Sequence, residues 1–161
     1  MSKRVSPFNS PLETGVRALS ILEAAHPNGC DLQRLVELDY LVVHSGDAGG
    51  PQSLHAPLPM RAGELLVRRE IIEKGLLLMA SRGLVERVAS PDGIFYRAGE
   101  AAAPYMAALN APYSIELRAR ANWAVKAFGH MTTDAIRIIT QRFFEKWTSQ
   151  FQPGQLQGPA A

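Results

Sequence analysis

The stretch ELLVRREIIEKGLLLMASRG, residues 64–83, runs straight into LVERV at 84–88, the turn Ser90-Pro91-Asp92-Gly93, and IFYRA at 94–98. Leu65, Val67, Ile71, Ile72, Gly75, Leu78, Met79 and Arg82 fall near a 3.6-residue period, which predicts a helix with one apolar face. Glu64/Arg68, Arg69/Glu73 and Glu70/Lys74 are opposite charges four apart, a spacing that suits an exposed helical face. Gly83 can take the left-handed conformation that ends a helix. Val85, Val88, Ile94, Phe95 and Tyr96 favour strands. Pro91 presets the first turn position and Gly93 tolerates positive φ, so the hairpin is expected to close with a bulge. Helix, glycine stop, strand, turn, strand is the back half of a winged helix-turn-helix. Such an element grips nucleic acid or another protein, and neither use needs a catalytic residue.

Upstream, Ser10-Pro11-Leu12-Glu13 is a helix start, with Ser10 as cap and Pro11 in the first turn. Leu12, Val16, Leu19 and Ile21 or Leu22 give that helix an apolar face, and His26-Pro27-Asn28-Gly29 breaks it. Asp31 caps a second helix whose end, Leu38 to Val43, is apolar on most sides and so is expected to pack deeply. A long loop over 46–62, rich in Gly and Pro, separates it from the helix that opens this section. Downstream lie a short Ala-rich helix ending near Asn110, a helix from about Tyr113 to Phe128 stopped by Gly129, and a last helix capped by Thr132 or Thr133. The expected fold is mainly α: a winged helix-turn-helix core over 1–99 with a two-stranded β wing, a C-terminal helical extension over 100–151, and a disordered tail over 152–161.

The chain has 161 residues, enough for one domain with a real core. No apolar run approaches bilayer-spanning length, and MSKRVSPFNSPLE lacks the apolar centre of a signal peptide. These features point to a cytoplasmic protein with no membrane partner. The single Cys30 cannot form an internal disulfide and reads as structural filler. Net charge is only +2, and residues 31–47 are acidic, with Asp31, Glu37, Asp39 and Asp47 against Arg34. A dedicated DNA binder usually carries a more basic face.

His44, Asp47 and His55 form the one cluster with the chemistry for a metal or acid–base site. No further Cys or His completes a zinc pattern, and Ser45-Gly46-Asp47 is a good helix exit, so a structured interaction loop is the stronger reading. Neither metal nor cofactor is expected. Gly46, Gly49 and Gly50 lack the Lys-Ser/Thr ending of a phosphate loop. Asp39, Tyr40, His44, Asp47 and His55 are therefore candidate partner contacts from the second helix and loop. Arg61, Arg68 and Arg69, with Arg87 and Arg97 on the wing, are candidate nucleic-acid contacts. Phe143, Phe144, Trp147 and Phe151 form an aromatic stripe on the last helix, which reads either as core or as a homodimer or partner interface.

FNSPLETGVRALSILEAA, DLQRLVELDYLVVHSGDAGGP, GELLVRREIIEKGLLLMASRGLVERV and GIFYRAGEAAAPYM together resemble the middle component of bacterial ABC three-component systems. The HSGD…GGP loop and the GELLVRRE run carry the specific part of that resemblance, which covers residues 8 to 128. It implies a non-enzymatic winged-helix adaptor that couples a large SMC- or Rad50-like ABC ATPase to an effector protein in a defence system. It supplies no catalytic residues. The alternative is a dimeric winged-helix transcription regulator that places its third helix in the major groove. A third reading, a metal-dependent hydrolase built on His44, Asp47 and His55, predicts bound metal.

Overall fold

The computed structural model describes residues 10–55 and 62–151, the side chains of residues 62–66, 144 and 146–151 excepted. The chain is mainly helical, with one two-stranded antiparallel sheet among the described residues. Its order is α1 (Pro11–Ala25), α2 (Leu32–Val43), a 3-10 turn (Ser45–Ala48), α3 (Ala62–Ser81), β1 (Val85–Ser90), β2 (Gly93–Ala98), α4 (Ala102–Ala108), α5 (Pro112–Phe128) and α6 (Thr133–Phe151). The tail over 152–161 and the second half of the long loop lie outside the described residues. A 3-10 turn over Ser45–Ala48 organises the start of that loop.

The helix starts are set by short polar side chains that accept otherwise unpaired backbone N–H groups. The Glu13 N–H donates to Ser10 Oγ at 3.2 Å. The Arg34 N–H donates to Asp31 Oδ1 at 2.7 Å. The Ala135 N–H donates to Thr132 Oγ1 at 3.1 Å, which selects Thr132 over Thr133 as the cap of α6. Gly83, at φ 70°, closes α3 in the left-handed region.

The hairpin pairs Val85 with Ala98 through to Ser90 with Gly93 in unbroken register. Its loop is the two residues Pro91 and Asp92, so the expected bulge is absent. Ser90 makes the short turn by itself: its Oγ accepts from the Asp92 N–H at 3.2 Å and donates to the Gly93 carbonyl at 3.0 Å. On the other side of β2, Cys30 and Tyr96 exchange both backbone bonds at 2.8 Å. The hairpin is thereby tied to the turn between α1 and α2. Cys30 is buried, and that burial pushes its thiol up to about 11.

Helix α3 buries Ile72, Gly75, Leu76 and Met79, one stripe at helical spacing. Two expectations change here. Leu76 is fully buried, beyond the apolar face that the spacing predicts. Val67 is 53% exposed although it was placed on the apolar face. At 3.6 residues per turn Val67 points about 140° away from Ile72, too far to share its contact. On α1, Leu12 is likewise exposed.

Helices α1 and α3 meet glycine to glycine. A Cβ on Gly75 would lie 2.6 Å from the Gly15 backbone nitrogen, and one on Gly15 would lie 2.8 Å from the Gly75 carbonyl oxygen. Alanine at position 75 would gain about 1 kcal/mol of helix propensity. It would also force two backbones apart, and overpacking of that kind costs about 1–3 kcal/mol. Gly75→Ala is expected to be a net loss of about 1 kcal/mol in urea denaturation. A stabilised variant would show that the two helices part freely.

Helix α2 lies at the centre. It packs against α1, α3, α5 and α6, and α1 also packs directly on α5. One apolar cluster runs from Leu19, Leu22, Leu38 and Leu41 through Ile72 and Met79 to Leu117, Ala121, Ala124 and Ile136. The C-terminal helices therefore share the core of the N-terminal ones.

A candidate interaction loop on a buried polar frame

The apolar run at the end of α2 carries one carboxylate, Asp39, which is 2% exposed. An unpaired charge there would be very costly. Two guanidinium groups answer it from two other helices. Arg17 of α1, itself 3% exposed, donates from Nε to Asp39 Oδ1 at 2.8 Å and from an Nη to Oδ2 at 3.4 Å. Arg68 of α3 donates to Oδ2 at 2.6 Å. Burial alone would raise the Asp39 carboxyl, but Arg17 and Arg68 outweigh it and hold Asp39 below the usual carboxylate range. Burial likewise disfavours charge on Arg17, and Asp39 overcomes it, so Arg17 stays firmly protonated.

Aromatic and imidazole rings surround this pair. The Arg68 guanidinium sits 5.8 Å from the Tyr40 ring centroid. Tyr40 tilts against His44 at 5.0 Å, and its hydroxyl donates to Asp47 at 3.4 Å. His44 meets His55 edge-on at 6.4 Å. His55 Nε2 shares a 3.0 Å hydrogen bond with the Tyr113 hydroxyl of α5. Burial first, and the neighbouring arginines second, push both imidazoles down to about 4. Both are therefore neutral at physiological pH.

The segment from Ser45 to His55 is built on this frame. The Leu54 and His55 N–H groups both donate to the Val43 carbonyl, at 3.0 and 3.1 Å, and fold the segment back on the end of α2. Buried Ser45 donates from Oγ to the Pro51 carbonyl at 2.8 Å. The Gly46 N–H donates to Ser53 Oγ at 2.9 Å. Two residues of α5 fasten the outside. Arg120 grips the Gln52 carbonyl from Nε at 3.1 Å and from an Nη at 2.8 Å. Gly50 lies against Trp123, where a Cβ would stand 2.2 Å from the indole ring. Only glycine fits that approach. Gly49, at φ 75°, supplies the left-handed residue beside it.

A second polar cluster ties α2 to α6 and α3. Glu37, also buried, accepts from the Thr140 hydroxyl of α6 and from Gln33 Nε2, the latter at 2.8 Å. Gln33 in turn accepts from Arg69 at 3.0 Å. Arg34 reaches the corner between α5 and α6, donating to the Gly129 carbonyl at 2.7 Å and the Met131 carbonyl at 2.8 Å.

The candidate residues thus fall into different places. Asp39, Tyr40 and His44 were expected on a partner-facing surface and are buried, at 2%, 3% and 6% exposure. The acidic character of α2 is directed inward, because Asp39 and Glu37 answer cations and hydroxyls of other helices. Asp47 and His55 are partly exposed, within the folded loop. Of the nucleic-acid candidates, Arg68 is committed to Asp39 and Arg97 to Glu86 on the facing strand at 2.5 Å. Arg69 holds Gln33, and Arg87 is exposed on the hairpin. Arg61 lies outside the described residues. In the aromatic stripe, Phe143 is half-buried against the core. The side chains of Phe144, Trp147 and Phe151 lie outside the described residues.

Arg17, Tyr113, Arg120 and Trp123 were not picked out from sequence, although they assemble the frame. One signal pointed to Arg17: an acid inside the apolar run Leu38-Asp39-Tyr40-Leu41 requires a cation from elsewhere, and Arg17 interrupts the apolar face of α1. Nothing local pointed to Arg120 or Trp123, whose partners are a backbone carbonyl and a glycine far away in sequence. Among the described residues, no group of three His, Cys, Asp or Glu side chains is placed to hold a metal ion. No described helix is long and apolar enough to cross a membrane.

These features define a mainly helical protein with a small antiparallel hairpin and an ordered loop carried on an ion-paired interior. The chain belongs to the ABC-three component (ABC-3C) system Middle Component 2 family, whose sequence pattern matches residues 7–150. That match takes in all the described residues but the last, loop and C-terminal helices included. It makes the chain a middle component of a multi-component system. Neither a curated protein nor a solved structure matches it.

Proposed function

We infer that this chain is a non-enzymatic adaptor that couples an SMC- or Rad50-like ABC ATPase to an effector protein in a cytoplasmic bacterial defence system. The observation that carries the reading is the use made of the titratable groups. Asp39, Arg17, Arg68, His44 and His55, which could have formed a reactive centre, are spent on one another and on holding a loop in shape. A rigid loop presented on a helical body suits recognition of a protein surface, because little ordering entropy remains to be lost on binding. The N-terminal part is read as a winged helix. The order α1, the bridging residue Cys30, α2, α3 and then the hairpin supports that reading.

The test is co-expression of the tagged chain with its genomic neighbours, followed by native mass spectrometry. The expected result is retention of a large ATPase together with a second protein. Arg120→Ala, which frees the loop from α5, is expected to weaken that retention without unfolding the chain. Recovery of the chain alone would remove the adaptor reading.

Direct contact with DNA is a secondary reading, favoured by the hairpin that follows α3 and by exposed Arg87. It predicts duplex binding that weakens steeply with salt. The commitment of Arg68 and Arg97 to carboxylates leaves it fewer cations than the sequence suggested.

A further inference from the structure

We propose that the outward face of α3 pairs with the same face of a second copy of this chain, antiparallel and about a two-fold axis at the height of Ile72, on the side of the helix away from that buried residue. The buried stripe of α3 leaves an opposite stripe of Val67, Glu70, Lys74 and Leu77 facing solvent. Val67 is 53% and Leu77 59% exposed, and Glu70 and Lys74 are exposed between them. At 3.6 residues per turn the four lie within about 80° of arc, and their spacing of three, four and three is that of a two-helix seam. Isolated apolar residues on a surface need no explanation, but two of them bracketing a charge pair in one seam form a patterned face.

The pattern is complementary to itself. Val67 stands five residues before Ile72 and Leu77 five after; Glu70 stands two before and Lys74 two after. A two-fold axis level with Ile72 on the outward face therefore sets Val67 against the second copy's Leu77 and Glu70 against its Lys74, twice over. This is the arrangement an isologous contact requires. Among the described residues, neither Glu70 nor Lys74 forms an ion pair within the chain, so both are open to such a contact. The alternation of signs also disfavours a nucleic-acid backbone on this face, because Glu70 and the adjacent exposed Glu73 would repel phosphate. The seam is separate from the loop on α2 and from the stripe on α6, so it stands or falls independently of the adaptor reading.

Sedimentation equilibrium of the full chain tests it. A concentration-dependent dimer is expected. Glu70→Lys and Lys74→Glu should each raise its dissociation constant about tenfold or more, because each reversal sets like charges face to face at two symmetric places. The double exchange Glu70→Lys with Lys74→Glu should restore dimerisation, and circular dichroism should show the same helix content in all three variants. Restoration distinguishes pairing from a general loss of fold, since a merely damaged chain would not recover. A chain that stays monomeric at the highest attainable concentration would overturn the proposal. So would a dimer indifferent to both reversals, or single reversals that the exchange fails to rescue.

Discussion

Asp39→Ala is expected to lower the free energy of unfolding by about 3–5 kcal/mol, because it leaves the buried Arg17 guanidinium without its counter-charge. A loss of that size is a large part of the total stability of a domain this long. The carboxylate of Asp39 also meets Arg68, so α1 and α3 both lose their ionic tie to α2 at once. Urea denaturation followed by far-ultraviolet circular dichroism measures the loss. The paired replacement Arg17→Met with Asp39→Leu removes both charges and should cost far less than Asp39→Ala alone. If Asp39→Ala cost under about 1 kcal/mol, in the range of exposed pairs, water would have to reach Arg17 and the pair would not be interior.

Acid is expected to destabilise the fold well before carboxylates titrate. His44 and His55 both sit at about 4 when folded and near 6.5 when unfolded. Between those values the unfolded chain binds more protons than the folded one, so stability falls as pH drops from 6.5 towards 4. The contribution is about 3 kcal/mol for His44, and smaller for the more exposed His55. Protonating either ring would add a cation beside Arg17 and Arg68, with Asp39 as the shared carboxylate. Asp39 is itself held low, so its share is lost only at still lower pH, after the histidines have charged. Denaturation midpoints collected across that range should slope upward with pH. His44→Gln should flatten the slope by about half or more. A slope that is the same with and without His44 would show that the ring is already hydrated in the native state.

Much of the fold was legible in the sequence because its signals are local. Ser10, Asp31 and the Thr132-Thr133 pair announced their helices through capping chemistry that acts over three residues. Gly83 and the Ser90-Pro91-Asp92-Gly93 turn marked the hairpin for the same reason. What local chemistry could not supply was direction. Val67 and Leu76 exchanged roles because several apolar residues in a row leave the buried stripe of α3 undecided until Gly15 fixes where α1 touches it. Acidic residues on α2 looked like surface, since charge is usually exposed, and the partners that draw Asp39 and Glu37 inward come from α1, α3 and α6. The order of the loop was hidden for a related reason. A run rich in Gly and Pro reads as loose, and Gly50 becomes a fixed point only through Trp123, whose place depends on the whole fold.

The position of α2 has a consequence for inheritance. A helix packed by both early and late segments, in a core they share, cannot be served by half the gene. A recombination break between the hairpin and α4 would give one product with a naked apolar flank and another with nothing to wrap. Relatives that trade contact specificity should therefore do so by replacing loop and outward-facing residues on an intact scaffold, rather than by shuffling the C-terminal helices as a cassette.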